Sequence, residues 1–299
     1  MRWRGRRQST NVQDRRSGGF GRRGIPLGIG RARLGRRSGI GGLGLLAVIV
    51  IALLLGVDPG LLLTGGQDPI NSMPGTQPAQ PSPADDRLRD FVAVVLADTE
   101  DVWHAVFQDR FGQPYEEPDL VLFAGGVDSA CGFAGSAVGP FYCPGDSKIY
   151  LDLDFFRTLH ERFGAPGDFA QAYVIAHEVG HHVQNLLGLS EQVRDAQQGR
   201  SETETNALSV MLELQADCLA GVWAQRADTN MQILEAGDIE EALGAASAIG
   251  DDTLQRQGRG RVTPDSFTHG TSAQRQRWFR QGLEAGNLDA CNTFGAPAL

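Results

Sequence analysis

The sequence predicts an α+β chain, mainly helical with a small sheet, preceded by one transmembrane helix. Three observations carry this. Apolar residues recur at helical spacing through long stretches of residues 85–299. Short runs of Val, Ile, Leu, Phe and Tyr bounded by Gly and Pro interrupt them. An uncharged apolar run, Ile40–Val57, stands apart near the N-terminus. The 299 residues suffice for one large domain with its own core plus appendages.

Charge is divided unevenly. Residues 1–39 hold twelve Arg and a single acid, Asp14, whereas the remainder carries 15 basic and 35 acidic residues. The 1–39 segment is rich in Arg, Gly and Ser and poor in large apolar residues, so it reads as a disordered cytoplasmic arm. An Arg-rich arm could bind nucleic acid. The uncharged run directly after it favours a positive flank that sets membrane orientation, and no nucleic-acid partner is expected. Ile40–Val57 has 18 residues without a charge, roughly 27 Å as a helix and close to a hydrocarbon core of about 30 Å. A signal peptide would have a shorter charged region and a small-residue cleavage site. Residues 40–63 are therefore expected to be a single-pass anchor in contact with membrane lipid, with the body outside the cytoplasm. Residues 64–84, with Pro69, Pro74, Pro78, Pro81 and Pro83, read as an extended linker.

Within the 85–299 domain, Asp85–Arg110 reads as an amphipathic helix containing His104. Asp119–Ala124 reads as a strand and Gly125–Gly139 as a loop. Phe141–Cys143 and Lys148–Asp152 form two strands around Pro144-Gly145-Asp146-Ser147. A helix over Phe155–Phe163 includes His160. The central helix covers 168–187, with Asp168 as its N-cap and Gly188 ending it. Ser190–Asn206 is a polar run. Further helices cover Glu204–Ala227, Asp238–Gln257 and Thr271–Ala285. Of the four cysteines, Cys131 and Cys143 flank a Gly/Pro-rich hairpin-like stretch and pair locally, which leaves Cys218 with Cys291. Four cysteines allow three pairings. A thiolate zinc site is the weaker alternative, because no C-x-x-C spacing occurs.

The chemistry lies on the central helix. His177-Glu178-Val179-Gly180-His181 is an H-E-x-x-H pattern. On a helix the two imidazoles share one face and can bind one zinc ion, with Glu178 in reach of the water on it. A buried helix that merely carries histidines would have no use for a charged Glu in an apolar segment. A catalytic zinc needs a third protein ligand. Glu213 and Asp217 lie four apart on an otherwise apolar helix, so either can reach the ion while the other accepts a hydrogen bond from a ligand imidazole. The longer Glu suits the ligand role. The ion would polarise a scissile carbonyl and acidify its water, and Glu178 would take the proton and pass it to the leaving amine. His269 is a candidate donor to the oxyanion. On position alone it is equally a surface histidine near a helix start.

The stretch 172–184, Ala-Tyr-Val-Ile-Ala-His-Glu-Val-Gly-His-His-Val-Gln, together with Glu213–Trp223 and the Cys-Gly to Phe-Tyr-Cys-Pro stretch at 131–144, resembles the bacterial neutral zinc metallopeptidase family (YpfJ-type). More distantly, the E-x-x-A-D element and a His followed six residues later by Arg resemble CAAX-type membrane metalloproteases. That resemblance implies Glu213 as ligand, Asp217 behind a ligand imidazole and His269 assisting the transition state. Gly270 stands where those proteases have Pro, and this chain has one apolar run rather than several.

The resulting expectation is a membrane-anchored, extracytoplasmic zinc endopeptidase with a zincin-like, gluzincin-type domain. It would use one catalytic Zn2+ and protein or peptide substrates, with Lys148–Asp152 as the sheet edge that pairs with extended substrate. The rivals are a catalytically silent zincin-fold module for binding or assembly at the envelope, and a zinc amidase acting on cell-wall peptide. Intact Glu178 argues against the silent module. Oligomeric state is left open by the sequence.

Overall fold

The computed structural model describes residues 1–17 and 82–299. All of the expected anchor, residues 64–81 of the linker and residues 18–39 of the arm lie outside the described residues. Helix α1 spans Pro83–Phe111, so the domain begins slightly before the expected Asp85. Its start is set locally. The Ser82 side chain accepts from the Asp85 N–H, the Asp85 carboxylate accepts from the Ser82 N–H, and Pro83 fits the first helical turn.

Among the described residues the main sheet has four strands in the order β1-β2-β6-β5: Val12–Asp14, Asp119–Phe123, Lys148–Asp152 and Phe141–Cys143. β1 and β6 both run parallel to β2, and β5 runs antiparallel to β6. The Asp-Leu-Val-Leu-Phe run of β2 is apolar on both faces because both are covered. Leu120 and Leu122 enter the main core with Ile149 and Leu151. Val121 and Phe123 pack with Tyr150, Val127, Ala134 and Cys143.

Two expectations about strands change here. Lys148–Asp152 is internal, and the edge strands are β1 and β5. The span read as a loop over 125–139 contains a hairpin, β3 (Gly126–Ser129) with β4 (Gly132–Gly135). Its glycines hide the alternation that marks a strand.

Helices α2 (Asp154–Glu161), α3 (Asp168–Leu186), α4 (Leu189–Gln197), α5 (Glu202–Met231), α6 (Asp238–Ala248), α7 (Asp251–Arg259) and α8 (Ser272–Ala285) complete the described body. The Ser190–Asn206 run, read as merely polar, holds all but the first residue of α4, which buries only Val193, and the start of α5. The single helix expected over Asp238–Gln257 is two, broken at Ile249-Gly250. A Cβ at Gly250 would run into Ser272. The cap of α3 is Gly167 (φ 113°), with Asp168 the first helical residue. Helix α3 lies at the centre, packed on α1, α5, α6 and the sheet. Phe169 stacks on Trp223 of α5 at 5.8 Å. Gly180 lets α3 approach α5 closely, since a Cβ there would sit 3.0 Å from the Ala216 carbonyl oxygen. Among the described residues α5 is apolar and long enough to cross a membrane, but 67% of its apolar window is buried in the body.

The largest correction concerns the arm. Residues 1–17 are folded into the body. β1 extends the sheet, and the Ser9 N–H donates to the Ala93 carbonyl at 2.9 Å. Arg6 pairs with Asp98 at 2.7 Å and Arg7 with Glu100 at 2.9 Å. Both acids lie on α1 and are 2% or less exposed. Reading Arg-rich composition as disorder counted each Arg as solvent-seeking. Here two of them neutralise buried carboxylates, while Met1, Trp3 and Val12 join the core. Arg6→Ala should therefore leave Asp98 buried without its partner and cost about 1–3 kcal/mol. A chemical denaturation curve of the full chain checks this, and an unchanged midpoint would show that the Arg6–Asp98 pair contributes nothing to stability.

Candidate metal centre

Helix α3 presents His177 and His181 one turn apart, ring centroids 4.8 Å apart and nearly perpendicular at 89°. Helix α5 brings up both acids, and they take different places. Glu213 faces the two Nε2 atoms, with Oε2 3.2 Å from His177 and Oε1 3.4 Å from His181. Asp217 sits behind His177, whose Nδ1–H donates to its Oδ1 at 2.8 Å. One ligand atom each from His177, His181 and Glu213 lie within 4.8 Å of one another.

This donor set of two nitrogens and one oxygen fits zinc, and the hydrogen bonds on the far side of each ring fit it too. His181 Nδ1–H donates to Gln184 Oε1 at 2.9 Å. Both Nδ1 atoms are thus engaged, which directs both Nε2 atoms toward Glu213. Gln184 is itself fixed, donating to the Leu212 carbonyl and to Gln215, and Gln215 donates to the Cys291 carbonyl at 2.9 Å. Cys291 is bonded to Cys218 of α5, and Cys131 to Cys143.

The electrostatics are those of an anionic cup. Burial alone would raise the Asp217 carboxyl, but Arg275 and His177 outweigh it and hold Asp217 at about 2. Burial disfavours the His177 cation, yet Asp217 and Glu213 raise its pKa to about 10. Burial likewise opposes ionisation of Glu213, and His181 and His269 pull it well below the usual carboxylate range. Glu178, 8% exposed, is pushed up by burial against the pull of His177 and His181. A carboxyl raised in this way suits proton transfer.

The structure puts His269 in the same cleft as His177, Glu178, His181 and Glu213, a space of about 1100 Å³. Its side chain is 35% exposed, and Nδ1 lies 3.3 Å from Asp251. Asp251 Oδ2 also accepts from the backbone N–H groups of Thr268, His269 and Gly270. That clamp fixes the loop before α8. The cleft is walled by β5, α2, α4 and α7, with exposed Arg157, Arg162 and Arg194 among its lining. His104 pairs with Glu117 on the surface at 2.8 Å, and neither it nor His160 lines the cleft.

Sequence reasoning overlooked Gln184 and Tyr173 as members of the site, and it noted Arg275 only as the Arg six residues after His269, with no role. Tyr173 donates to Asp217 at 2.5 Å, and Arg275 grips both Asp217 oxygens at 2.8 and 2.9 Å. Two signals were available. Tyr173 lies four residues before His177 on one helical face, and Gln184 is polar in an apolar segment. The third histidine of the run, His182, faces away, bonded to the Tyr142 hydroxyl and the Glu116 carbonyl.

Residues 1–294 match the family described as "Putative neutral zinc metallopeptidase". The chain is 49% identical over 295 residues to "Uncharacterized protein YpfJ" of Escherichia coli K12, covering 99% of each. It is 43% identical over 262 residues to "Uncharacterized protein Rv2575" of Mycobacterium tuberculosis H37Rv, covering 83% of this chain and 86% of that one. No solved structure matches.

The two acids can be told apart by experiment. Glu213→Ala should be isolated nearly zinc-free, whereas Asp217→Asn should retain zinc with affinity reduced about 10- to 100-fold. Zinc per chain after matched dialysis against a mild chelator checks it, and the reverse order would exchange the roles of the two acids. Zinc must also displace the proton that His177 holds up to about pH 10. Apparent zinc affinity should therefore rise with pH between 6 and 9, by about tenfold per unit if one proton is released. A flat profile in a competition titration would show that Asp217 and Glu213 do not hold a proton on His177.

Proposed function

This chain belongs to the neutral zinc metallopeptidase family, and from that premise we propose that it is a zinc-dependent endopeptidase. The carrying observation is the convergence of His177, His181 and Glu213 at one point of an open cleft, with buried Glu178 beside them. When bound, zinc supplies Lewis-acid polarisation and lowers the pKa of water.

The chain's own residues do the rest. Glu178 accepts the proton of the attacking water and delivers it to the leaving amine, after which its carboxylate is regenerated. His269, whose partial desolvation opposes the cation while Glu213 and Asp251 favour it more strongly, donates to the oxygen that gains charge. Asp217 fixes the His177 tautomer, and Gln184 that of His181. Extended substrate adds to the sheet at β5, whose Phe141 and Tyr142 line the cleft. The pairing proposed from sequence for Lys148–Asp152 passes to β5, because β6 is flanked on both sides. The two disulfides favour an oxidising, extracytoplasmic compartment for the body, and contact with membrane lipid through Ile40–Val57 belongs to the same reading.

Glu178→Gln removes the proton acceptor and no proposed ligand. Zinc content should stay near that of the parent while casein hydrolysis falls by about 10²- to 10⁴-fold. Parallel assays on cell-wall fragments separate a peptidase from an amidase. Undiminished turnover in this variant would sink the assignment of Glu178.

A further inference from the structure

Residues 1–17 and 82–299 make one folded body, and this bears on how the chain meets a membrane. The junction is extensive. β1 pairs with β2 from Val12↔Leu120 to Asp14↔Leu122. Beyond the strand, the Leu120 N–H donates to the Asn11 carbonyl and the Arg15 N–H to the Leu122 carbonyl, both at 2.8 Å. Trp3 meets Phe91 edge-on at 5.4 Å. Ser9 Oγ donates to Glu100 at 2.5 Å and Asn11 Nδ2 to the same carboxylate at 3.0 Å. Together with Arg6 and Arg7, these groups supply the partners of two acids that α1 buries almost completely. Without the segment, Asp98 and Glu100 would be buried charges with those partners removed, which is costly.

We infer that residues 1–17 and the active-site body stand on the same side of any membrane, so that Ile40–Val57 is not a single crossing with the basic arm opposite the body. A single crossing puts about 30 Å of hydrocarbon between its two flanks, and no β-ladder or ion pair bridges that distance. Exchange of the segment between two copies of the chain does not alter the conclusion, since donor and acceptor would still share a compartment. The arginines near the apolar run, Arg31, Arg33, Arg36 and Arg37, favour a cytoplasmic flank. That bias competes here with a strand ladder and two buried ion pairs.

The test uses the full-length chain in intact spheroplasts. All four native cysteines are in disulfides, so an added cysteine is the only free thiol. Gln8→Cys and Thr10→Cys probe the segment, and Glu284→Cys probes the body; all three positions are exposed. Each is treated with a membrane-impermeant maleimide before and after permeabilisation. Segment and body probes should react under the same condition, both before permeabilisation or both only after it. Reaction of the body probe before permeabilisation and of both segment probes only after it, or the converse, would overturn the inference. Casein hydrolysis by the same variants is read separately, so loss of the peptidase assignment and loss of the shared side are distinct results.

Discussion

Asp217 is the interaction on which the rest depends. It is a carboxylate with no exposed surface in the middle of an apolar helix, a position where an unpaired charge would cost several kcal/mol or more. Three side chains from two other helices satisfy it: Tyr173 and His177 from α3, and a bidentate Arg275 from α8, all meeting α5. The planar guanidinium suits this double contact in a way a lysine would not. One buried charge therefore orients a candidate metal ligand and ties together the helices that carry the site. Removing either partner would leave the other buried and uncompensated, so the site's geometry and part of the fold's stability draw on the same contact.

Close packing makes that arrangement reachable. At Gly221 and Gly282 the backbones of α5 and α8 lie so near that a Cβ on either would strike the other helix. Gly180 allows a close, less extreme approach between α3 and α5. The Cys218–Cys291 bond closes a separation of 73 residues, which in a chain-entropy account contributes about 4 kcal/mol. The Cys291 carbonyl also anchors the Gln215–Gln184 chain behind His181. Each candidate histidine ligand is thus held from behind by a different support, one ionic and one neutral.

Much of this was legible in the residues. The helical spacing of His177 and His181, the acids four apart on α5 and the local Cys131–Cys143 pairing are short-range patterns, and the structure brings each group together. Boundaries were legible where caps are explicit, as with Thr271 before α8, whose side chain accepts from the Gln274 N–H. What escaped is of another kind. Arg6 and Arg7 look like solvated charges until the carboxylates of Asp98 and Glu100, more than 90 residues away, are placed beside them. The end position of β5 depends on β2 and β6 pairing in parallel across the hairpin between them, which no local period encodes. Arg275 belongs to the site only because α8 folds back onto α5. The sequence patterns report neighbours along one element, and these three features depend on contacts between elements.

The central claim is that two imidazoles and one carboxylate, without thiolate, hold a single zinc ion. X-ray absorption at the zinc edge of the purified full-length chain tests it most directly. The account predicts one zinc per chain with a shell of nitrogen and oxygen neighbours at about 2.0–2.2 Å. A sulfur shell at about 2.3 Å, or an ion bound equally well when His177 and His181 are both replaced by alanine, would contradict it.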